Sequence, residues 1–238
     1  MTPGEATEAL MFARHPLTRS EISGIVTEVT VNTAQDIAAL VKDVQETEAR
    51  YLLHGPRHNP VVTPWMPYQP ADFIGIVWEC MTEITNSKPA AFAGGEPIYH
   101  MPAFLDVGCG PGTKMQIASA LFGFQVHGIE IDAAMAFDAA QRQFRTSAEV
   151  EHADALFVPD GYYGNFDLIW LYRPFREAAH ERVLETRIVQ EMKPGAILAG
   201  GSWEVNVPEM GWQPIVDDTL FAPDGVGCIW RGAWQKPA

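Results

Sequence analysis

The chain has little positive charge, few cysteines and no long apolar run. Lys and Arg number 16 against 30 Asp and Glu in 238 residues, for a formal net charge of −14. A nucleic-acid-binding surface needs basic side chains to neutralise phosphates, so DNA and RNA are disfavoured partners. The deficit is spread along the chain: residues 1–102 carry 6 basic and 12 acidic side chains, and residues 103–238 carry 10 and 18. One local concentration of positive charge, Arg173, Arg176, Arg182 and Arg187, interleaves with Glu177, Glu181, Glu185 and Glu191. Arg187 and Glu191 have helical i,i+4 spacing, and the stretch reads as a solvated helix face. Three cysteines, Cys80, Cys109 and Cys228, give no disulfide framework and no CxxC metal pattern. His54 and His58 have metal-ligand spacing for a helix, but Gly55-Pro56 breaks any helix between them. No stretch approaches the ~20 apolar residues needed to span a bilayer. Met1 to Leu17 has neither a basic leader nor a continuous apolar segment. The expectation is a soluble, cytoplasmic protein without a membrane partner or metal centre, and of unknown oligomeric state.

Against these absences stands one dense motif. Phe104-Leu105-Asp106-Val107 reads as a buried strand, with apolar residues suited to burial on both faces. Gly108-Cys109-Gly110-Pro111-Gly112 follows, three alternating glycines that let the backbone turn sharply and approach a ligand. Pro111 or Thr113 then opens a helix through about Phe122, whose N-terminal N–H groups face the ligand. Val126 to Asp132 is a second strand ending in carboxylates, and Glu130 stands where it can accept hydrogen bonds from two ribose hydroxyls. Cys109 reads as a small residue of the turn, not as a nucleophile. In a dinucleotide fingerprint the third glycine falls one position later, and an apolar residue precedes the first. Here Thr113 takes the place of that glycine and Asp106 the apolar slot. A carboxylate there repels a pyrophosphate and suits a ligand with a positive amino group, which favours S-adenosylmethionine over NAD.

At this motif the chain resembles the class I SAM-dependent methyltransferases, whose first motif typically reads D/E-x-G-x-G-x-G. The resemblance runs from about Met101 to the C-terminus. It implies an α/β fold: a Rossmann-like, mostly parallel seven-stranded sheet flanked by helices and closed by an antiparallel hairpin. Glu149–His152 fits the third strand, and Asp154 the Asp that family members place near the adenine amino group, although an Asp before a helix also serves as an N-cap. The same resemblance adds Ile131 and Ala155 to the cofactor contacts of Asp106, Gly108, Cys109, Gly110, Gly112 and Glu130. Phe166–Tyr172 reads as the fourth strand, followed by a helix from about Arg176 to Met192 with Leu184, Ile188 and Met192 on one stripe. Lys193-Pro194-Gly195 ends that helix, Ala196–Gly201 is the fifth strand, and Gln213–Asp217 with Gly227–Trp234 supplies the hairpin.

Residues 1–100 read as a mainly helical extension before a SAM-binding domain over 101–238. Ile22–Val31 alternates as a short strand or an amphipathic arm. Asn32 or Thr33 caps a helix through about Leu53. A stiff Pro-rich connection, Pro56 to Pro70, precedes a second helix opened by Pro70, with Phe73, Ile74, Val77, Trp78 and Met81 at core spacing. Ser87–Pro102 reads as a loop. In methyltransferases of this class such additions commonly cover the cofactor and shape the acceptor pocket. Trp65 and Tyr68 are the pocket candidates of this segment, or else packing residues of the helical cap.

Ligands of open α/β sheets sit beyond the carboxyl ends of the strands, so the end of the fourth strand, Leu171-Tyr172-Arg173-Pro174-Phe175, should face the methyl acceptor. Amino-methyltransferases acting on bases show [D/N]-P-P-[Y/F/W] there. This chain keeps Pro174 and Phe175 but has Tyr172 and Arg173 for the first two positions, which argues against nucleobase chemistry. Tyr172, to hydrogen-bond an acceptor, and Arg173, to hold an anionic one, are the catalytic candidates, with Phe175 in the pocket. The expected activity is methyl transfer from S-adenosylmethionine to an O or N nucleophile of a small molecule or protein side chain. The alternatives are a non-catalytic SAM-binding regulatory or partner-support module and, weakened by Asp106 and Thr113, a nicotinamide oxidoreductase.

Overall fold

A computed structural model of the chain describes residues 19–54, 68, 70–87, 91–93, 96–98, 101–142, 144, 146–201, 203, 205–217, 220–221, 228–229 and 231–237. The chain divides into two compact units, Met1–Glu46 and Thr47–Ala238. A single helix, α1 (Arg19–His54), runs from the first into the second. The alternating stretch Ile22–Val31 is therefore helical, and Asn32 and Thr33 lie inside the helix instead of capping it. Short-range alternation cannot outvote a continuous run of residues compatible with helix and free of Pro. The Pro-rich connection lies almost wholly outside the described residues.

In the second unit, α2 (Pro70–Ser87) starts at its proline, as a residue without a backbone N–H permits at the first helical position. Its buried stripe is Phe73, Val77, Cys80 and Ile84, whereas Trp78 is 63% exposed and Ile74 and Met81 are half-buried. The expected core face was thus off by about a third of a turn on its later half. The segment read as a loop before the first strand contains two short antiparallel strands, β1 (Ala91–Ala93) and β2 (Glu96–Ile98).

The main sheet alternates strand and helix: β3 (Ala103–Val107), α3 (Thr113–Phe122), β4 (Gln125–Glu130), α4 (Ala133–Ala140) and β5 (Ala148–His152). β6 (Leu168–Tyr172), α5 (Ala178–Glu191) and β7 (Ile197–Gly201) follow. Next come β8 (Gln213–Asp217), a small hairpin β9 (Leu220–Phe221) and β10 (Cys228–Ile229), and finally β11 (Arg231–Gln235). Seven strands pair in the order β5-β4-β3-β6-β7-β11-β8. The first five are parallel, and β11 runs antiparallel to both β7 and β8. The chain winds outward from β3 in one direction and from β6 in the other, so the topological switch point lies between β3 and β6, where such sheets open a crevice for ligands.

Alternation along β3 assigns its residues to two layers. Phe104 joins an aromatic cluster with Phe73 of α2 and Phe124, and Trp170 of β6 meets Phe73 edge-on at 4.7 Å between centroids. Leu105 and Val107 belong to the opposite layer, packed with Ile169, Leu171, Leu184 and Ile188 in the larger buried core. Asp106 pairs in register with Trp170 and Gly128 and is fully buried. It is a charge placed in the centre of an otherwise apolar strand, which the hydrophobic effect alone does not select.

Candidate functional site

The turn after β3 is built from backbone. Gly108 and Cys109 both donate their N–H to the Ile129 carbonyl of β4, at 2.9 and 3.0 Å, which ties the turn to the neighbouring strand. Gly108, Gly110 and Gly112 have φ of 73°, 53° and 76°, a region that L side chains rarely adopt. Gly112 is the N-cap of α3 and supplies no side-chain cap, so the positive end of that helix is not shielded by its own capping group. Cys109 is buried, and burial together with the Asp106 and Glu130 carboxylates pushes its thiol well up. That rules out a ready thiolate and agrees with a purely spatial role.

Two carboxylates flank the turn. Glu130, at the carboxyl end of β4, accepts the Gly110 N–H on Oε2 and the Asp132 N–H on Oε1, each at 2.8 Å. Burial raises its carboxyl above the ordinary value, and these two N–H bonds partly oppose the rise. A carboxylate oxygen has room for more than one donor, so Glu130 can orient the turn and still receive hydroxyls. Asp106 lies with Oδ2 3.3 Å from the Lys114 ammonium, while its Oδ1 is buried without a hydrogen-bond partner. Burial raises the Asp106 carboxyl and Lys114 pulls it back. Asp132, the residue after Ile131, caps α4 by accepting the N–H groups of Ala134 and Met135. Ile131 is half-buried, and its carbonyl lies 3.1 Å from the His152 Nε2.

Side chains from before the sheet, together with Arg142 just after α4, bond to the residues of this turn and of the helix that follows it. The Thr113 hydroxyl donates to Glu48 at 2.6 Å. Arg142 donates to the Pro111 carbonyl, to Gln116 and to Thr47. Tyr51 donates to Asp138 of α4. The Lys114 ammonium stands 5.1 Å from the centre of the Tyr68 ring, within cation–π range. Tyr68 also packs edge-on against Phe73, and burial pushes its pKa well up, with the Thr113 side chain opposing the rise. The expected pocket residue Trp65 lies outside the described residues.

On the other side of the turn, Asp154 caps a short 3-10 segment, Ala155–Phe157, by accepting the Leu156 N–H at 2.9 Å. Ala155 is buried, and its carbonyl receives the Tyr163 hydroxyl at 2.7 Å. Arg187 of α5 donates to the carbonyls of Leu156, Val158 and Pro159 and pairs with Glu191 at 2.8 Å. This loop is therefore held from beneath by residues that the sequence shows only as helix surface.

At the end of β6, Tyr172 is half-buried and Arg173 is exposed with φ of 48°, a left-handed conformation for a non-glycine residue. Pro174 lies against the turn: a Cβ placed on Gly108 would stand 3.4 Å from the Pro174 Cβ. Phe175 belongs to the buried core, with its N–H donated to Glu181 at 2.9 Å. Glu185 accepts the Val205 N–H at 2.7 Å. Glu181 and Glu185 are buried, at 2% and 0% exposure, which corrects the reading of this helix as a solvated face. Their carboxylates face inward because the loops after β6 and β7 present N–H groups that no strand pairs. Asp167 sits at the opposite end of β6, accepting the Ala103 N–H and pairing with Lys193 at 2.8 Å, away from the turn.

A sheet of this strand order, with a glycine turn at its switch point and a carboxylate at the end of the adjacent strand, forms a Rossmann-like fold. Residues 104–195 match the family model of a methyltransferase domain, a class of enzyme whose methyl donor is S-adenosylmethionine. The donor set fits that cofactor: Asp106 offers an unpartnered oxygen to an ammonium and Glu130 a carboxylate to hydroxyls. No curated protein matches the sequence. Among solved structures, the chain is similar to the N-methyltransferase NodS from Bradyrhizobium japonicum WM9 in complex with S-adenosylhomocysteine. That likeness has 13% identity, covers 84% of this chain and 99% of the other, and has a TM-score of 0.49. It is similar also to an RNA methyltransferase from Salinibacter ruber in complex with S-adenosylhomocysteine (18% identity, 72% and 94% coverage, TM-score 0.48).

Among the described residues there is no cluster of metal-ligating side chains and no helix long and apolar enough to cross a membrane. Sequence reasoning missed Lys114, Glu48, Arg142, Tyr163, Glu181 and Glu185. Lys114 alone had a local signal, a cation eight residues after Asp106 at the start of the helix.

Proposed function

We propose that this methyltransferase acts on an O or N nucleophile of a small molecule or protein side chain, with the acceptor held at the end of β6. What supports the reading is the nearness of Pro174 to the glycine turn, where a Cβ built on Gly108 would stand 3.4 Å from the Pro174 Cβ, with Tyr172 and Arg173 just before it in the chain. When bound, the cofactor supplies a sulfonium methyl group for in-line displacement. The protein's task is alignment and, for a protonated nucleophile, removal of a proton. Asp106, Gly108, Cys109, Gly110, Gly112 and Glu130 are the cofactor contacts of this reading, with Ile131, Asp154 and Ala155 on the adenine side. Asp154 serves this role with its remaining acceptor capacity, since one oxygen caps the following turn.

Arg173 is the anchor for an anionic acceptor. Its backbone conformation costs of order 1–3 kcal/mol, and a strained residue at the mouth of a crevice is what a positioning role requires. Tyr172 supplies a hydroxyl to the same space. Residues 1–100 act as an extension whose Glu48 and Tyr68 lie over the glycine turn, with Tyr68 bounding the methionine end. The deficit of positive charge keeps nucleic acid disfavoured as an acceptor.

The test is transfer of labelled methyl from S-adenosylmethionine to acceptor pools sorted by charge, with wild type, Tyr172→Phe and Arg173→Ala. The reading expects labelling of anionic small molecules or protein that falls at least tenfold in Arg173→Ala, with unchanged S-adenosylhomocysteine affinity. Tight cofactor binding with no labelling of any pool would favour the SAM-binding module instead.

A further inference from the structure

Arg173 is the one non-glycine residue among those described with a positive φ, 48°. Such a conformation persists only where the surroundings fix it. Its position makes it more unusual still, because a proline at the next residue steers the backbone toward extended angles. Pro174 itself is locked by its ring. By local preference the end of β6 would run straight on, and what bends it lies on either side of Arg173.

Before Arg173, the Leu171 carbonyl is fixed by two residues at the end of β7. Leu171 and Gly200 are partners in the parallel ladder, so close that a Cβ on Gly200 would lie 2.0 Å from the Leu171 oxygen. A side chain there would force the strands apart, and the Gly200 φ of 128° also belongs to glycine. The same oxygen accepts the indole N–H of Trp203 at 3.1 Å. Trp203 is buried and packs in the core with Leu171, Phe175 and Leu184, which holds the indole in place. After Arg173, the Phe175 N–H is donated at 2.9 Å to Glu181, whose carboxylate is buried on α5. Tyr172 is paired in the ladder opposite Gly201. Between these fixed points stand one strand residue, Arg173 and a proline. Arg173 alone has free dihedral angles there, and the gap closes with it left-handed.

We infer that Trp203 and Glu181 are positioning residues: a two-point clamp that keeps Arg173 left-handed and so aims its side chain at the methyl acceptor. The role toward the acceptor rests on the reading of Arg173 as the anionic anchor. Trp203 acts through the Leu171 carbonyl and Glu181 through the Phe175 N–H, and neither touches acceptor or cofactor. A released Arg173 would turn extended, and its Cβ and guanidinium would swing to another direction. Held in advance, the anchor loses less freedom when the acceptor binds.

Thermal melts test the clamp, and methyl transfer tests its role. Glycine enters the left-handed region without strain, so Arg173→Gly should raise Tm by about 2–4 °C, the scale for relieving one strained residue in a chain of this size. Trp203→Phe keeps an aromatic ring and loses the N–H. In that background Arg173→Gly should give no gain or a loss, because no strain is left to relieve and glycine adds only its backbone entropy. An equal gain in both backgrounds would overturn the clamp. With labelled S-adenosylmethionine and anionic acceptor pools, Trp203→Phe should lower labelling about tenfold, since a small misplacement of a binding group is felt strongly in rate. Labelling should recover at higher pool concentration, as a KM effect does, and S-adenosylhomocysteine affinity should be unchanged. In the Arg173→Ala background Trp203→Phe should cost nothing further. A full additional loss there would make Trp203 a support of the whole strand end and refute the positioning role. If Trp203→Phe does not fold, Arg173→Gly decides alone: a Tm at or below that of wild type would show that no strain is held. Unchanged transfer in Arg173→Ala would overturn the reading of Arg173 as the anchor, and the positioning role with it, even where the melts bear out the clamp.

Discussion

Glu130 already holds two backbone N–H groups, so its chemistry toward a ligand depends on what capacity is left. Gly110 and Asp132 each take one oxygen, and further donors share those oxygens. Glu130→Gln turns one acceptor into an NH2 that must face one of these N–H groups. Cofactor affinity should fall by about 2–3 kcal/mol, the range for hydrogen bonds to a charged group and for an unsatisfied buried donor. The pH dependence follows from the raised carboxyl of Glu130, which burial drives upward. Only the carboxylate form accepts two hydroxyls, so affinity should decline as pH falls through a value above the ordinary 4.5. Calorimetry between about pH 5 and pH 8 would reveal this slope, and Glu130→Gln should flatten it. A residual slope in the variant belongs to Asp106, whose carboxyl burial also raises.

At the scale of elements, α5 does more than pack on the sheet. Leu184 and Ile188 bury one side, as their spacing requires, while Glu181, Glu185 and Arg187 reach the loops after β6, β7 and β5. Arg187 satisfies three carbonyls and also holds Glu191. Burial raises the Glu191 carboxyl, but hydrogen bonds from Arg187 and from the Tyr163 and Gly161 N–H groups outweigh it and leave it below the ordinary 4.5. A group with a lowered folded value contributes stability above its unfolded value and loses it as pH falls through the folded one. Arg187→Met should therefore cost about 2 kcal/mol near neutral pH and lower Tm by about 4–8 °C. The penalty should shrink as pH falls through the lowered Glu191 value, beyond which the carbonyl contacts alone remain. Thermal scans of both proteins across that range check it. An unchanged penalty at low pH would assign the whole effect to the carbonyls.

The same helix shows which parts of the fold were legible in sequence. Its apolar stripe was readable, because period and burial coincide at Leu184, Ile188 and Met192. The strand, turn and strand of residues 104–132 were readable for a different reason. Glycines at positive φ and a charge inside an apolar strand are too costly to occur without a backbone or ligand requirement. Glu181 and Glu185 were not readable. A buried glutamate and a solvated one look alike along a helix, and the difference lies in the N–H groups of Phe175 and Val205, in loops whose path only the fold fixes. Lys114 left a fainter trace, a cation eight residues after Asp106, because the pair forms only when α3 folds back on β3. Helix α1 misled for a local reason: its first residues alternate by chance, and nothing in them breaks a helix.

At the scale of the whole molecule, the division into Met1–Glu46 and Thr47–Ala238 makes ligand response a separable property. Every residue assigned to the cofactor, and Glu48 and Tyr68 above it, belongs to the second unit. So do all seven tryptophans, the first at Trp65 and the last at Trp234. Intrinsic fluorescence therefore follows that unit alone. A ligand that binds only the folded form at a hundred times its Kd adds about 2.7 kcal/mol. For a chain of this size that raises Tm by about 5–10 °C. S-adenosylhomocysteine should produce this shift in a fluorescence-detected melt. NAD should not, because Asp106 sits where a pyrophosphate would need an uncharged neighbour. Transfer RNA should not either, because the surface carries a net charge of −14 and has no phosphate-neutralising excess at either half of the chain. A shift with NAD alone would move the chain to the nicotinamide enzymes and make the buried carboxylate of β3 a structural charge. A shift with RNA that vanishes at high salt would locate a basic patch that the overall charge conceals, with Arg173, Arg176 and Arg182 beside the end of β6 as the first residues to replace.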